Sequence, residues 1–342
     1  MSADTRVQGE EAIIQRFLAP LAAGFPGAYA LKDDCAAITP TPGHDLIVKT
    51  DPVAEGVHFL SHDAPEDIGW KALAVNVSDL AAKAARPVAY LMALSFPVAP
   101  EAEWMRRFAD GLGAAQRAFG MHLIGGDTDR RTGPISITIT VFGEVPTGRM
   151  VQRATAQPGD RLYVSGALGG GAIGLALRRD GAASLLPRWG LDPEASAGPG
   201  DWRAAVDAYL RPRPRLELRA ALLGHARAAM DLSDGLAKDL GRMCKASGCG
   251  AVVDLARLPM LPVVARAVAA EPARWKAVAA SGDDYEVLAA VPPSEATAFE
   301  VVARRDGIAV THIGDCRERA GLELRDASGA PVTFESSGWD HF

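Results

Sequence analysis

The chain has 342 residues, 48% of them apolar and 23% charged, a mean hydropathy near zero and a formal net charge of -6. That size and balance exclude intrinsic disorder and point to a globular protein with room for two domains of ordinary size. No apolar run reaches the ~18 residues of a membrane span, and no basic tract interleaved with aromatics suits a nucleic acid.

The N-terminus "MSADTRVQGEEAII" lacks the basic and apolar regions of a secretory leader, and Cys35, Cys244, Cys249 and Cys316 show no CxxC spacing, so a reducing cytoplasm is expected. An anionic substrate on so acidic a chain would need bound cations.

Apolar residues at helical spacing (Ile13, Ile14, Phe17, Leu18, Leu21) predict a helix over 10–21. "DLIVKTD" (45–51) reads as a strand, and Pro65-Glu66-Asp67 opens a helix through about Ala84, with Pro87 soon after. "VAYLMALSF" (88–96) predicts a buried strand, 101–119 a helix, and "MHLIGGD" (121–127) and "ISITITVFGEV" (135–145) two more strands. A linker-like "PTGRMVQRATAQPGD" (146–160) then separates two α/β domains of mixed sheets, 1–148 and 149–342. The second is expected to hold the strand "RLYVSG", a helix after Gly171, helices around 201–223 and a helix near 294–305. Strands "YEVLAAV", "VTHIG" and "LELRD" close it.

Gly169 to Gly174 match GxGxxG after a strand and before a helix, but no second strand ending in an acidic residue follows within about 30 residues, as a dinucleotide site requires. A structural glycine turn is favoured, with main-chain contact to a phosphate as the alternative. A Walker-type GxxxxGK[ST] is absent.

The carboxylates carry more information. Asp33-Asp34, Asp51, Asp79, Asp127, Asp231 and Asp234 lie at or near element ends, or, for Asp79, inside a predicted helix that also presents Asn76 and Lys83 on the same face. Singly, each is best explained as a cap or a solvated turn. Were they to converge, each pair about 5 Å apart would repel by roughly 3 kcal/mol at an effective dielectric near 20. Such a cluster requires cations, and hard oxygen ligands with no His/Cys set suit magnesium bridging to phosphates. "NVSDLAAKA" (76–84) weakly echoes "DLSDGLAKD" (231–239), a similarity that chance explains, because Ser and Asp both favour helix starts.

In order along the chain, "KDDCAAI", "KTDPVAEGVHF", "ALAVNVSDLAAKAARP", "LIGGDTDR", "GRMVQRATAQPGDRLYVSG", "MDLSDGLAKDL", "SGDDYEV" and the terminal "GWDHF" closely resemble the thiamine-monophosphate kinase family. The resemblance implies a two-domain fold like that of aminoimidazole ribonucleotide synthetase, an N-terminal domain that binds ATP and metal and dimerises, and transfer from ATP to thiamine monophosphate. It implies Asp33, Thr50, Asp51, Asp79, Asp127, Asp231 and Asp234 as ligands of several Mg2+ ions. Gly126, Asp127, Arg153 and Ser233 are implied as ATP contacts, and His58, Asp283 and Trp339 as contacts to thiamine monophosphate. Asp239 has no counterpart among these roles and is expected on a helix surface.

This chain departs from the family pattern at Lys32, where glycine is usual, Lys49, where a small hydroxyl residue is usual, Ala84, where glycine is usual, and "SGDDYE" in place of "GGEDYE". Lys32 and Lys49 set positive charge beside metal-ligand positions, and either one stands in for part of the metal or both point to solvent. The competing functions are a related ATP-dependent enzyme with another acceptor, a nicotinamide-dependent oxidoreductase using Gly169 to Gly174, and a nucleotide-binding module without turnover.

Overall fold

In a computed structural model the chain is described over residues 6–192, 198–332 and Gly338. It divides into two compact units, Met1–Leu80 with Ala85–Gly148, and Ala81–Ala84 with Arg149–Phe342.

The first unit begins with a helical stretch that changes its winding: an α-turn, α1 (Glu10–Ile13), a π-helical turn (Ile14–Leu18) and a 3-10 turn (Ala19–Ala22). Pro20, which has no N–H to donate, sits in the last of these, so the regular helix expected there does not form. Strand β1 (His44–Ala54), helix α2 (Pro65–Ala82), strand β2 (Arg86–Phe96), helix α3 (Ala102–Phe119) and strands β3 (His122–Arg130) and β4 (Ser136–Pro146) follow. Pro65 at its first turn, with Glu66 and Asp67 beside it, starts α2 by the ordinary chemistry of helix N-termini.

The strands form a sheet in the order β1-β4-β2-β3, with β2 and β3 parallel and the other pairs antiparallel. α3 is tied to β2 by the Tyr90 hydroxyl donating to Gln116 at 3.1 Å and by Phe96 lying edge-on to Trp104. At Gly126 a Cβ would lie 1.8 Å from the Met92 carbonyl, so only glycine lets β3 pair with β2 there. The chain leaves α2 through Ala84, fully buried with φ of 57°, the left-handed turn that glycine ordinarily takes.

The second unit contains β5 (Arg161–Ser165), α4 (Gly170–Asp180), α5 (Leu185–Trp189), α6 (Pro199–Leu210), α7 (Arg219–His225), β6 (Ala228–Asp231), α8 (Leu236–Ser247), β7 (Gly250–Asp254), α9 (Pro262–Ala270), α10 (Trp275–Ala280), β8 (Val287–Val291), α11 (Ala296–Arg305), β9 (Val310–Arg317), β10 (Gly321–Arg325) and β11 (Pro331–Val332). Among the described residues its sheet runs β11-β10-β7-β9-β5-β8-β6. Strand alternation loads both faces: Leu162, Val164, Leu288 and Ala290 join a core with Ile173, Leu240 and Val264, while Tyr163, Val287, Ala289 and Val291 join another with Leu222 and Phe299. A strand covered on both sides reads as the continuous apolar run "VLAAV".

No helix among the described residues is long and apolar enough to cross a membrane.

Candidate active site

In the first unit the key arrangement is set by β1 and α2. Lys49 and Asp51, two apart on a strand, share one face of β1. Asn76, fully buried on α2, accepts the Asp51 main-chain N–H through Oδ1 at 2.9 Å and donates to the Ala72 carbonyl at 3.0 Å. This tie brings Asp79, one turn further along α2, to the same place. Lys49 Nζ lies 2.9 Å from Asp51 Oδ2 and 3.0 Å from Asp79 Oδ2. Burial alone would lower the Lys49 pKa, but the Asp79 and Asp51 carboxylates outweigh it and hold the ammonium charged, well above the usual lysine range.

The other residues expected in this unit are placed as follows. Thr50 faces the opposite side of β1 from Asp51, where its hydroxyl donates to the Ile139 carbonyl at 3.2 Å and accepts from Thr140 at 3.0 Å. His58 lies in the turn after β1, and its Nδ1 accepts the Ala54 N–H at 3.1 Å, so a neutral ring carries its proton on Nε2. Asp127 is exposed on β3 beside Gly126. Asp33 is exposed and accepts the Cys35 N–H at 3.5 Å, and Lys32 is exposed as well. Lys83 falls beyond the end of α2, in the second unit, and donates to the Ala229 carbonyl of that unit at 2.7 Å, a different task from the one its helical spacing suggested.

In the second unit, β6 ends at the buried Asp231 and the chain turns through Leu232, Ser233, Asp234 and Gly235 into α8. Asp239, expected on the helix surface, is fully buried. Its Oδ2 accepts the main-chain N–H groups of Ser233 and Asp234 at 3.0 and 2.9 Å, and its Oδ1 accepts Arg242 at 3.0 Å. Burial pushes the Asp239 carboxyl above its ordinary pKa and the Asp234 charge adds to this, while the Asp234 amide and Arg242 pull it back. The helix therefore folds its own carboxylate back under the preceding loop. Asp234, on that loop, is mostly buried, 2.5 Å from Arg242 and 3.6 Å from Lys238.

A second loop joins this one. Ser233 O accepts the Asp283 N–H at 3.0 Å, and Leu232 O accepts the Tyr285 N–H at 2.8 Å. Asp283 and Tyr285 both take left-handed backbone angles, φ 67° and 50°, and the Tyr285 hydroxyl donates to Asp283 Oδ1 at 2.9 Å. Asp231, Ser233, Asp234 and Asp283 are thus gathered on one loop pair, whereas Arg153 is exposed on the segment before β5. Trp339 lies outside the described residues.

The glycine-rich loop is filled from within the protein. Gly169, at φ 82°, precedes α4, and its N–H donates to Asp284 Oδ1 at 2.9 Å. A dinucleotide pyrophosphate would need that N–H, so the structural turn is the reading that holds. Burial pushes the Asp284 carboxyl up to about 8, against the bonds from the Gly169 and Gly171 amides that favour its charge. Folding therefore keeps a proton that the unfolded chain releases near pH 4, and stability falls as pH rises from about 4 to about 8. Asp284→Asn, which keeps the acceptor but cannot ionise, is expected to gain stability relative to the parent chain between about pH 5 and pH 9. Urea midpoints at both pH values check this, and an equal offset at the two would contradict it.

Among the described residues no group of three or more His, Cys, Asp or Glu side chains is assembled to hold a metal ion. Asp51 and Asp79 are ligands of the kind magnesium takes, because that ion is held by one or two carboxylates together with water and substrate phosphates, but here Lys49 stands between them.

Residues 32–145 match the AIR synthase related protein N-terminal domain and residues 157–327 its C-terminal domain. A thiamine-monophosphate kinase of Caulobacter vibrioides is 39% identical over 331 residues, which cover 96% of this chain and 89% of the relative. The crystal structure of a thiamine-monophosphate kinase from Stenotrophomonas maltophilia superposes with a TM-score of 0.77 at 33% identity, covering 97% of this chain and 93% of that one. The structure of AaThiL complexed with AMPPCP and TMP aligns over the whole of both chains with a TM-score of 0.73 at 29% identity. On similarity of this extent, through both units, the chain belongs to the thiamine-monophosphate kinase family of AIR synthase related proteins.

Proposed function

We propose that the protein transfers the γ-phosphoryl group of ATP to thiamine monophosphate, giving thiamine diphosphate and ADP. The observation that carries this is similarity to thiamine-monophosphate kinases along nearly the entire chain, including the segments that place Asp51, Asp79, Asp234 and Asp283.

The acceptor dictates the chemistry. A phosphate monoester has its second pKa near 6, so its oxygen is already anionic at neutral pH and attacks without a general base. The obstacle is repulsion between two polyanions, and positioning with charge neutralisation overcomes it. Magnesium ions drawn to the carboxylates of Asp33, Asp51, Asp79, Asp127, Asp231 and Asp234, with Thr50, would supply that neutralisation when bound, in addition to the charge Lys49 already places between Asp51 and Asp79. The hydroxyl of Thr50 points away from Asp51, so at Asp51's cation Thr50 would serve through its main-chain oxygen.

On the protein side, the amides of Ser233 and Asp234 are committed to Asp239, which leaves the Ser233 hydroxyl for the nucleotide. Arg153 offers an exposed fork for phosphate and Gly126 a strand edge without a side chain. His58, with its proton on Nε2, would donate to the acceptor. Asp283, held by Tyr285, would accept from the aminopyrimidine, and the Trp339 indole would stack on the thiazolium ring.

We further propose a homodimer through the first unit, a reading that rests on the resemblance to the family. A cytoplasmic location is supported by the free thiols Cys35, Cys244, Cys249 and Cys316.

Incubation with ATP, Mg2+ and thiamine monophosphate, followed by chromatography, is expected to yield thiamine diphosphate and ADP in equal amounts. ADP without thiamine diphosphate would overturn the assignment.

A further inference from the structure

We propose that the Lys49 ammonium is a built-in cation: it occupies the position between Asp51 and Asp79 that a divalent ion would otherwise bridge, so the loaded enzyme carries one divalent ion fewer than it would with a small residue at 49. The inference deepens the metal-assisted transfer proposed above and rests on it.

The geometry is specific. Both Oδ2 atoms sit on a single Nζ, at 2.9 and 3.0 Å, which keeps them within about 6 Å of each other. Two carboxylates that close repel by roughly 3 kcal/mol at an effective dielectric near 20, and one cation between them reverses the sign of that interaction. Neither partner is a mobile surface group that happens to reach the lysine. β1 directs Lys49 and Asp51 to the same face, and the buried Asn76 fastens α2 to the Asp51 backbone one turn before Asp79. The three side chains are 33%, 45% and 25% exposed, so the site is open to solvent ions yet partly desolvated.

The other basic departure near a proposed ligand, Lys32, is exposed beside Asp33 and is not part of this arrangement. A lysine delivers one charge that does not dissociate, where a magnesium ion delivers two that do. The pair with Lys49 keeps a net charge of -1 and needs no ion to hold it together. Removing the lysine leaves the two carboxylates adjacent without the cation that bridges them, the donor set a hard divalent ion prefers.

The test counts bound Mn2+ per chain, by equilibrium dialysis and electron paramagnetic resonance, on the full-length protein with a non-hydrolysable ATP analogue. Lys49→Ser is expected to bind one more Mn2+ than the parent chain. Lys49→Met, which keeps the aliphatic stem and loses only the charge, is expected to do the same. Lys49→Arg is expected to keep the parent number. Equal numbers on the parent, Lys49→Ser and Lys49→Met would overturn the built-in cation while leaving the metal reading standing. No Mn2+ on any of the four proteins would remove the metal reading and this inference with it.

Discussion

Asp79→Asn is expected to lower kcat by about 10²- to 10³-fold, the usual effect of removing one preorganised electrostatic group from a transfer site. The substitution keeps the shape of the side chain and removes the charge that faces Lys49. Its effect on folding should be small. The Lys49 bridge is partly exposed, and bridges of that kind contribute about 0–1 kcal/mol. The contact that holds α2 to β1 runs through the fully buried Asn76 instead, and it is untouched. Turnover measured beside the urea midpoint separates the two effects. Near-normal turnover would remove Asp79 from the site.

Asp239→Ala is expected to have the larger effect on stability, about 3 kcal/mol. It strands two main-chain donors, at Ser233 and Asp234, each of which costs about 1–3 kcal/mol when left unsatisfied, while Arg242 keeps Asp234 as its partner. Asp239→Asn retains an oxygen for both amides and turns an amide donor toward Arg242, so it should cost clearly less. Because the same contacts shape the turn carrying Ser233 and Asp234, the alanine variant should also lose activity before it unfolds. Urea unfolding of both variants checks the order. Equal and small costs would show that the loop does not depend on Asp239.

These two residues also mark what the sequence discloses and what it hides. Asp79 stood out because a carboxylate inside an apolar helical pattern, three residues after an asparagine, has no capping role to play. Asp239 did not. A carboxylate in the first turn of a helix ordinarily faces solvent, and its burial is decided by a loop folding back to present two amide donors, with Arg242 of the same helix as a third.

Long-range pairing hid the remainder. The acceptor for the Gly169 amide comes from Asp284, 115 residues away, and local pattern cannot supply it. The echo between 76–84 and 231–239 dissolves for a related reason: the first copy lies on α2 and its exit, while the second is a strand end and a loop entering α8.

The fold itself was more accessible. Alternation and apolar runs located β1, β2, β4, β5 and β8 to within a few residues, because a strand's burial pattern follows from which of its faces are covered. β6 went unread. Its four residues "AAMD" have little strand preference, and they are extended because β8 pairs with them. Thr50 shows a limit of another kind, since neighbouring residues of a strand face opposite sides and a shared motif cannot place both side chains at one ion.

The most direct measurement is label transfer from ATP carrying a radioactive γ-phosphate, with thiamine monophosphate and Mg2+ present. Direct transfer predicts label in the terminal phosphate of thiamine diphosphate, one for each ADP formed. Label appearing in inorganic phosphate, with thiamine monophosphate recovered unchanged, would contradict it.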